Sequence, residues 1–134
     1  MAHLMTVDVT FGDCDPAGIV FYPNIFRWMD AGFQKLLRPL GGHQKLCRDL
    51  DSLGLGLADA QAQFRSTIRD GDLLELHVSV EKWSARSVTL AYEGRVGERL
   101  AFEGREVRCL FIRGKDGIVA GDMNAFRERL EKAE

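Results

Sequence analysis

A chain of 134 residues, 46% hydrophobic and 28% charged, has room for one buried core, and a single domain over residues 1–134 is expected. Eighteen Lys and Arg against 20 Asp and Glu leave a net charge of −2, without the basic surplus that a nucleic acid or an anionic membrane surface demands. Three cysteines (Cys14, Cys47 and Cys109), an odd number without CxxC spacing, argue against a disulfide framework and a zinc site.

Residues 4–11, LMTVDVTF, alternate through Val7, Val9 and Phe11 and predict a strand. Met1–Met5 is too short for a secretory signal and no apolar run approaches membrane-spanning length, so the expected location is the cytoplasm. Residues 12–22 read as a loop. Pro23 suits the first turn of a helix, where its missing N–H would have no partner anyway. From Asn24 to Leu40 the apolar positions Ile25, Phe26, Met29, Phe33, Leu36, Leu37 and Leu40 recur at helical spacing, while Arg27, Gln34, Lys35 and Arg38 lie off that stripe. Pro39 and Gly41-Gly42 end the helix.

Residues 43–51 suggest a short helix, and Gly54 and Gly56 a flexible connection. Four strand-like stretches follow: 58–69 through Ala60, Ala62 and Phe64; 73–83 through Leu74, Leu76, Val78 and Val80; 87–96 through Val88, Leu90 and Tyr92; and 99–113, with Val107, Cys109 and Phe111 in phase. Asp70-Gly71-Asp72, Val96-Gly97 and Lys115-Asp116-Gly117 mark turns. Asp122 can cap a last amphipathic helix with Met123, Phe126 and Leu130 on one face. One strand, one long helix and then a run of strands implies an antiparallel sheet and the α+β class. The economical packing is a long central helix against a curved five-stranded sheet.

Chemistry concentrates between Phe11 and Asn24, FGDCDPAGIVFYPN. Asp15 lies in a Pro/Gly-rich loop just before a helix start, where backbone N–H groups are unpaired and the dipole is positive. A carboxylate beside such donors can attack a carbonyl, or activate water to attack it, while the donors polarise the oxygen. Spacing alone leaves Asp15 equally readable as a turn residue. Gly18 lets the backbone approach a ligand closely, or is a plain turn glycine. Asp13-Cys14-Asp15 lacks the further hard ligands a metal site needs. Cys14 has no base linked to it by motif, and there is no GxSxG elbow. Asp30 falls at the edge of the apolar stripe: a helix carboxylate paired with Arg27 or Gln34, or a polar contact at the end of an acyl pocket.

The segment Phe11–Asp30, FGDCDPAGIVFYPNIFRWMD, closely resembles the signature of the 4-hydroxybenzoyl-CoA thioesterase family of hotdog-fold enzymes, and a weaker similarity continues through Glu81-Lys-Trp-Ser-Ala-Arg-Ser87. The resemblance implies a hotdog fold and hydrolysis of an acyl-CoA, with benzoyl or hydroxybenzoyl as the first expectation for the acyl group. It assigns Asp15 as the catalytic carboxylate, nucleophile or general base, and the Tyr22 backbone N–H as the group that polarises the thioester. Trp83, Arg86 and Ser87 would lie where the CoA phosphates bind. Close family members carry consecutive basic residues after the Trp; here Ser84 and Ala85 stand there and only Arg86 is basic. No metal or cofactor is implied, coenzyme A being part of the substrate. The expected assembly is a homodimer or homotetramer with sites at subunit interfaces. The competing readings are a short- or medium-chain fatty acyl-CoA or acyl carrier protein thioesterase, a non-catalytic acyl-CoA-binding hotdog protein, and a hotdog dehydratase, against which the lack of a His in the motif argues.

Overall fold

The computed structural model describes residues 2–133. Its elements in chain order are β1 (Ala2–Asp8), α1 (Pro23–Leu37), α2 (His43–Asp49), β2 (Gly54–Phe64), β3 (Leu73–Trp83), β4 (Val88–Val96), β5 (Arg99–Gly114), β6 (Gly117–Ala120) and α3 (Asn124–Lys132). The strands form one antiparallel sheet in the order β1-β3-β4-β5-β2, with the short β6 paired to the far end of β5. This is the hotdog arrangement: a long helix held against a curled antiparallel sheet. The path of five strands is the expected one. The sixth comes from the Lys115-Asp116-Gly117 turn, which folds Ile118 and Val119 back onto Ile112 and Arg113.

The helix α1 starts at Pro23 and continues through a 3₁₀ turn at Arg38–Leu40 that Gly41, at φ 96°, terminates. Its buried face carries Ile25, Trp28, Met29, Gly32, Phe33, Leu36 and Leu37. These meet the inward residues of β3 and β4: Leu74, Leu76, Val78, Leu90 and Tyr92. Close approach depends on Gly32, where a Cβ would lie 2.8 Å from Val78 Cγ2 and 3.0 Å from Leu76 Cδ2. The helix α3 closes one end of the sheet, with Met123, Phe126 and Leu130 buried and Phe126 edge-on to Trp83, ring centroids 5.6 Å apart. Asp122 does not occupy the capping position itself, but its Oδ1 accepts the Asn124 N–H at 2.7 Å, so it still satisfies an orphan donor of the first turn.

Three local readings are corrected. Phe11 does not extend β1; it opens a 3₁₀ turn at Phe11–Asp13 and is exposed. The strand β2 begins at Gly54 rather than residue 58 and ends at Phe64 rather than residue 69. Gly54 and Gly56 are part of its ladder, because the Phe111 ring lies over the space a side chain at Gly56 would fill. On β5 the helix-facing phase between Phe102 and Arg108 is Phe102, Gly104, Glu106 and Arg108, not that of Val107. Two charged residues sit inward there because they bind each other. Among the described residues no helix is long and apolar enough to cross a membrane.

Candidate active site

The loop between β1 and α1 is tied down at nearly every residue. The Thr10 and Asp13 pair forms a capping box, with the Thr10 N–H donating to Asp13 Oδ2 at 3.0 Å. Asp13 O accepts both the Phe21 N–H (2.9 Å) and Asn24 Nδ2 (2.8 Å), which clamps the loop to the first turn of α1. Asp15 N–H donates to Ile19 O and Gly18 N–H to Asp15 O, both at 2.9 Å, making a tight reversal. Gly18 sits at φ 79°, a left-handed conformation that a Cβ would strain. The loop is also stitched to the segment before β3: Val20 N–H donates to Ile68 O at 2.8 Å, and Ile19 pairs with Arg69.

This scaffold presents two groups. Asp15 is half-buried, and its Oδ1 accepts the Ala17 N–H at 2.9 Å in an Asx turn. That bond fixes the carboxylate while Oδ2 has no partner among the described residues. At the start of α1, Asn24 and Ile25 donate to Phe21 O and Tyr22 O, whereas the Tyr22 N–H donates to no acceptor among the described residues. Tyr22 is itself helical, at φ −56° and ψ −32°, and Pro23 follows it, so its N–H is the first free donor of the helix end. A carboxylate oxygen and an unengaged helix-start N–H on one short loop are the two parts acyl transfer needs. The Cys14 thiol is pushed up by desolvation first and then by Asp70, which keeps it a thiol, and it donates to Thr10 O.

Asp30 lies seven residues beyond Pro23, about 10 Å along the helix axis at 1.5 Å per residue. Its principal partner is neither Arg27 nor Gln34. Oδ1 is 2.8 Å from Arg108 Nη2 on β5 and 3.4 Å from Gln34 Nε2. Arg108 in turn donates from Nε to Glu106 Oε1 (3.1 Å) and from Nη1 to Leu55 O (3.0 Å), and stacks 4.1 Å from the Phe33 ring centroid. The Tyr92 hydroxyl donates to Glu106 Oε1 at 2.5 Å. Burial first, then Glu106, pushes the Tyr92 phenol above the usual tyrosine range. Burial alone would lower Arg108, but Glu106 and Asp30 more than reverse that and raise it. Sequence reasoning missed Arg108, Glu106 and the Tyr92 hydroxyl. The signal available was a pair of opposite charges two residues apart, in phase with Phe102 and Leu110 on an otherwise apolar strand face.

The residues expected at the CoA phosphates stand away from the Asp15 loop of the same chain. Trp83 ends β3, and the Asp15 loop adjoins its beginning, where the Val9 N–H donates to Asp72 O. The two lie at opposite ends of the strand, about 33 Å apart along it. Arg86 is exposed and its Nη1 donates to Ala120 O at 2.9 Å, tying the β3–β4 turn to β6. Trp83 packs between Phe126 and the Arg127 guanidinium, 5.6 Å from its ring centroid. The Ser87 carbonyl accepts the Ser84 N–H, closing the same turn. One chain therefore does not bring Asp15 together with Arg86. A groove of about 410 Å³ on the sheet face away from α1, lined by residues that include His77, Glu81 and Arg105, holds neither group. Nor does a hollow of about 330 Å³ between His43, Leu53 and Phe111.

The fold and this loop define a hotdog protein of the thioesterase class. The profile of the Thioesterase-like superfamily matches residues 9–129, and the chain belongs to that family. Its sequence is 31% identical to 4-hydroxybenzoyl-CoA thioesterase of Pseudomonas sp. (strain CBS-3) over 91 residues, 65% of this chain and 64% of that relative, so the alignment spans just under two thirds of each. It is 29% identical to 1,4-dihydroxy-2-naphthoyl-CoA hydrolase of Prochlorococcus marinus (strain MIT 9303) over 115 residues, 80% of this chain and 75% of that relative. The solved structure of the Pseudomonas thioesterase superposes with a TM-score of 0.83 and 25% identity, covering 96% of this chain and 98% of that one. The family resemblance read from Phe11–Asp30 is thereby borne out.

Proposed function

We propose that this protein hydrolyses a hydroxylated aromatic acyl-CoA to the free acid and coenzyme A. The observation that carries the reading is the pairing of a tethered Asp15 carboxylate, one oxygen free, with the unengaged Tyr22 N–H at the start of α1. The thioester carbonyl sits with its oxygen toward that N–H and the positive end of the helix. Asp15 carries the attack in one of two ways: directly, forming a mixed anhydride that water then opens, or by taking a proton from the attacking water. In both, negative charge grows on the carbonyl oxygen beside Tyr22 N–H, the C–S bond breaks, and CoA leaves as the thiolate. Gly18 holds the loop in the reversal that aims Asp15.

The acyl group extends from the helix start along the flank of α1 that carries Phe26 and Asp30. Aromatic side chains suit a flat ring, and Asp30 is placed to accept a hydrogen bond from a ring hydroxyl. The names of the relatives, hydroxybenzoyl and dihydroxynaphthoyl hydrolases, support this class of acyl group. Because Arg86, Ser87 and Trp83 stand at the opposite end of β3 from Asp15, their contribution to CoA binding comes from a second copy of the chain, in a homodimer or homotetramer whose sites straddle the interface.

Thiol release from aromatic and aliphatic acyl-CoAs tests the reading. Asp15→Asn keeps the Asx-turn oxygen but removes both nucleophile and base, and kcat is expected to fall by roughly 10²–10⁴ with the fold intact by circular dichroism. Turnover near wild type would end the assignment. An aliphatic thioester as the best substrate would overturn the aromatic class alone.

A further inference from the structure

Glu106 and Arg108 are the charged side chains that the fold buries, 1% and 3% exposed among the described residues. A buried ion pair of this kind is weak evidence for stability, since desolvation offsets the attraction and an apolar pair of similar volume commonly does as well. What the pair does produce is a fixed group at the surface. All three guanidinium nitrogens of Arg108 are engaged, by Glu106 Oε1, Leu55 O and Asp30 Oδ1, and the plane is held against Phe33. Glu106 is itself braced by the Tyr92 hydroxyl. The chain of contacts ends at Asp30, whose side chain is 51% exposed and whose Oδ2 has no partner among the described residues.

We propose that Arg108, braced by Glu106 and Tyr92 beneath α1, is a specificity-positioning residue that pins Asp30 as a one-sided acceptor, so that the acyl pocket takes groups ending in a neutral hydroxyl and rejects groups ending in a carboxylate. The inference rests on the acyl-CoA reading above and deepens it. An ionised carboxylate only accepts hydrogen bonds. With Oδ1 held by the guanidinium, Oδ2 is left for a donor on the acyl group. Two carboxylates share one cation, so a carboxylate on the ligand meets net negative charge, and Arg108, its side chain 4% exposed and each of its nitrogens already turned to a protein oxygen, is not presented to it. Rejection is thus built in alongside attraction.

The experiment compares kcat/KM for benzoyl-, 4-hydroxybenzoyl- and 4-carboxybenzoyl-CoA. Arg108→Gln alone would strand Glu106 as an unpaired buried carboxylate, so it is made together with Glu106→Gln. Arg108→Lys, which keeps the charge but not the fork, is the second variant and carries the test if the double variant does not fold. Wild type is expected to favour the hydroxyl and refuse the carboxylate. The double variant should lose the hydroxybenzoyl-to-benzoyl ratio by roughly tenfold to a hundredfold, the size of a hydrogen bond to a charged group, with Arg108→Lys between it and wild type. In an Asp30→Ala background the same changes at Arg108 should leave that ratio unmoved. Asp30→Ala by itself frees Arg108 Nη2 and should raise the carboxybenzoyl-to-benzoyl ratio. A double variant that lowers all three substrates in proportion, or an Arg108 effect on the ratio that persists without Asp30, overturns the proposal. A wild type indifferent to the ring substituent overturns it too. Thioester hydrolysis itself stands in each case so long as it depends on Asp15.

Discussion

Tyr92→Phe removes a single oxygen from a fully buried polar contact, that of Tyr92 with Glu106. Tyr92 and Glu106 are 2% and 1% exposed, so water does not replace the lost hydroxyl, and Glu106 Oε1 keeps only the Arg108 Nε donor at 3.1 Å. A hydrogen bond to a charged group contributes about 1.5–3 kcal/mol net. With about 2.1 cal/mol/K of unfolding entropy per residue over 134 residues, that loss lowers Tm by roughly 5–11 °C. Differential scanning calorimetry on the wild type and the variant measures it. A second readout is the alkaline limb. The Tyr92 phenol titrates above its unfolded value, so its contribution is complete below about pH 10, the unfolded tyrosine value, and is lost as pH rises from there toward the folded one. Wild type should therefore lose stability above about pH 10 more steeply than Tyr92→Phe, and the two curves should converge. A Tm shift of no more than about 2 °C, typical of a neutral surface change, would show that Glu106 is not held as described.

Arg86→Ala is expected to raise KM more than it lowers kcat, because phosphate contacts far from the carbonyl bind ground and transition states alike, and the effect should shrink with added salt; an unchanged KM at low salt removes Arg86 from the CoA site. Gly18→Ala places a Cβ at φ 79° in the loop that aims Asp15. It should cost about 1–2 kcal/mol by urea unfolding and lower kcat, and an unchanged stability would mean that the loop relaxes freely.

Local signals made the elements around the Asp15 loop legible, while the role proposed for the loop came from the family resemblance. Pro23 after a Gly-rich run, the helical spacing from Ile25 to Leu37 and the alternation of β3 and β4 are all short-range patterns, and the structure follows each closely. What was misread depended on partners far along the chain. Gly54 and Gly56 look like a hinge until Phe111, more than fifty residues away, covers the space beside Gly56. Val107 looks inward until Arg108 finds Asp30 on α1 and Leu55 on β2, and Glu106 finds Arg108 and Tyr92, because a charged residue is assigned to the solvent face unless its buried partner is known. The partner expected for Asp30 is incomplete in the same way: Gln34 does donate to its Oδ1, at 3.4 Å, but is not the dominant contact. Both candidate partners, Arg27 and Gln34, lie on its own helix, and the one that dominates lies 78 residues away.

Among the described residues, buried charge is concentrated at one point, Glu106 and Arg108, and the proposed function gives it a use. The chemistry proposed for Asp15 and Tyr22 is set by backbone: an Asx turn, a positive φ at Gly18 and a helix start, fixed by hydrogen bonds within the loop and by its pairing to Ile68 and Arg69. Such a site is indifferent to what lies at the far end of the acyl group. Discrimination among acyl groups needs a side chain held in place away from that loop, on the flank of a helix where a lone carboxylate would sample several rotamers. In the proposed reading the sheet beneath supplies the anchor through Arg108, whose buried charge is met by Glu106, itself held by the Tyr92 hydroxyl. Catalysis and selectivity are then separable: substitutions in the Phe11–Asn24 segment should scale the rates of all substrates, and substitutions along Tyr92, Glu106 and Arg108 should reorder them.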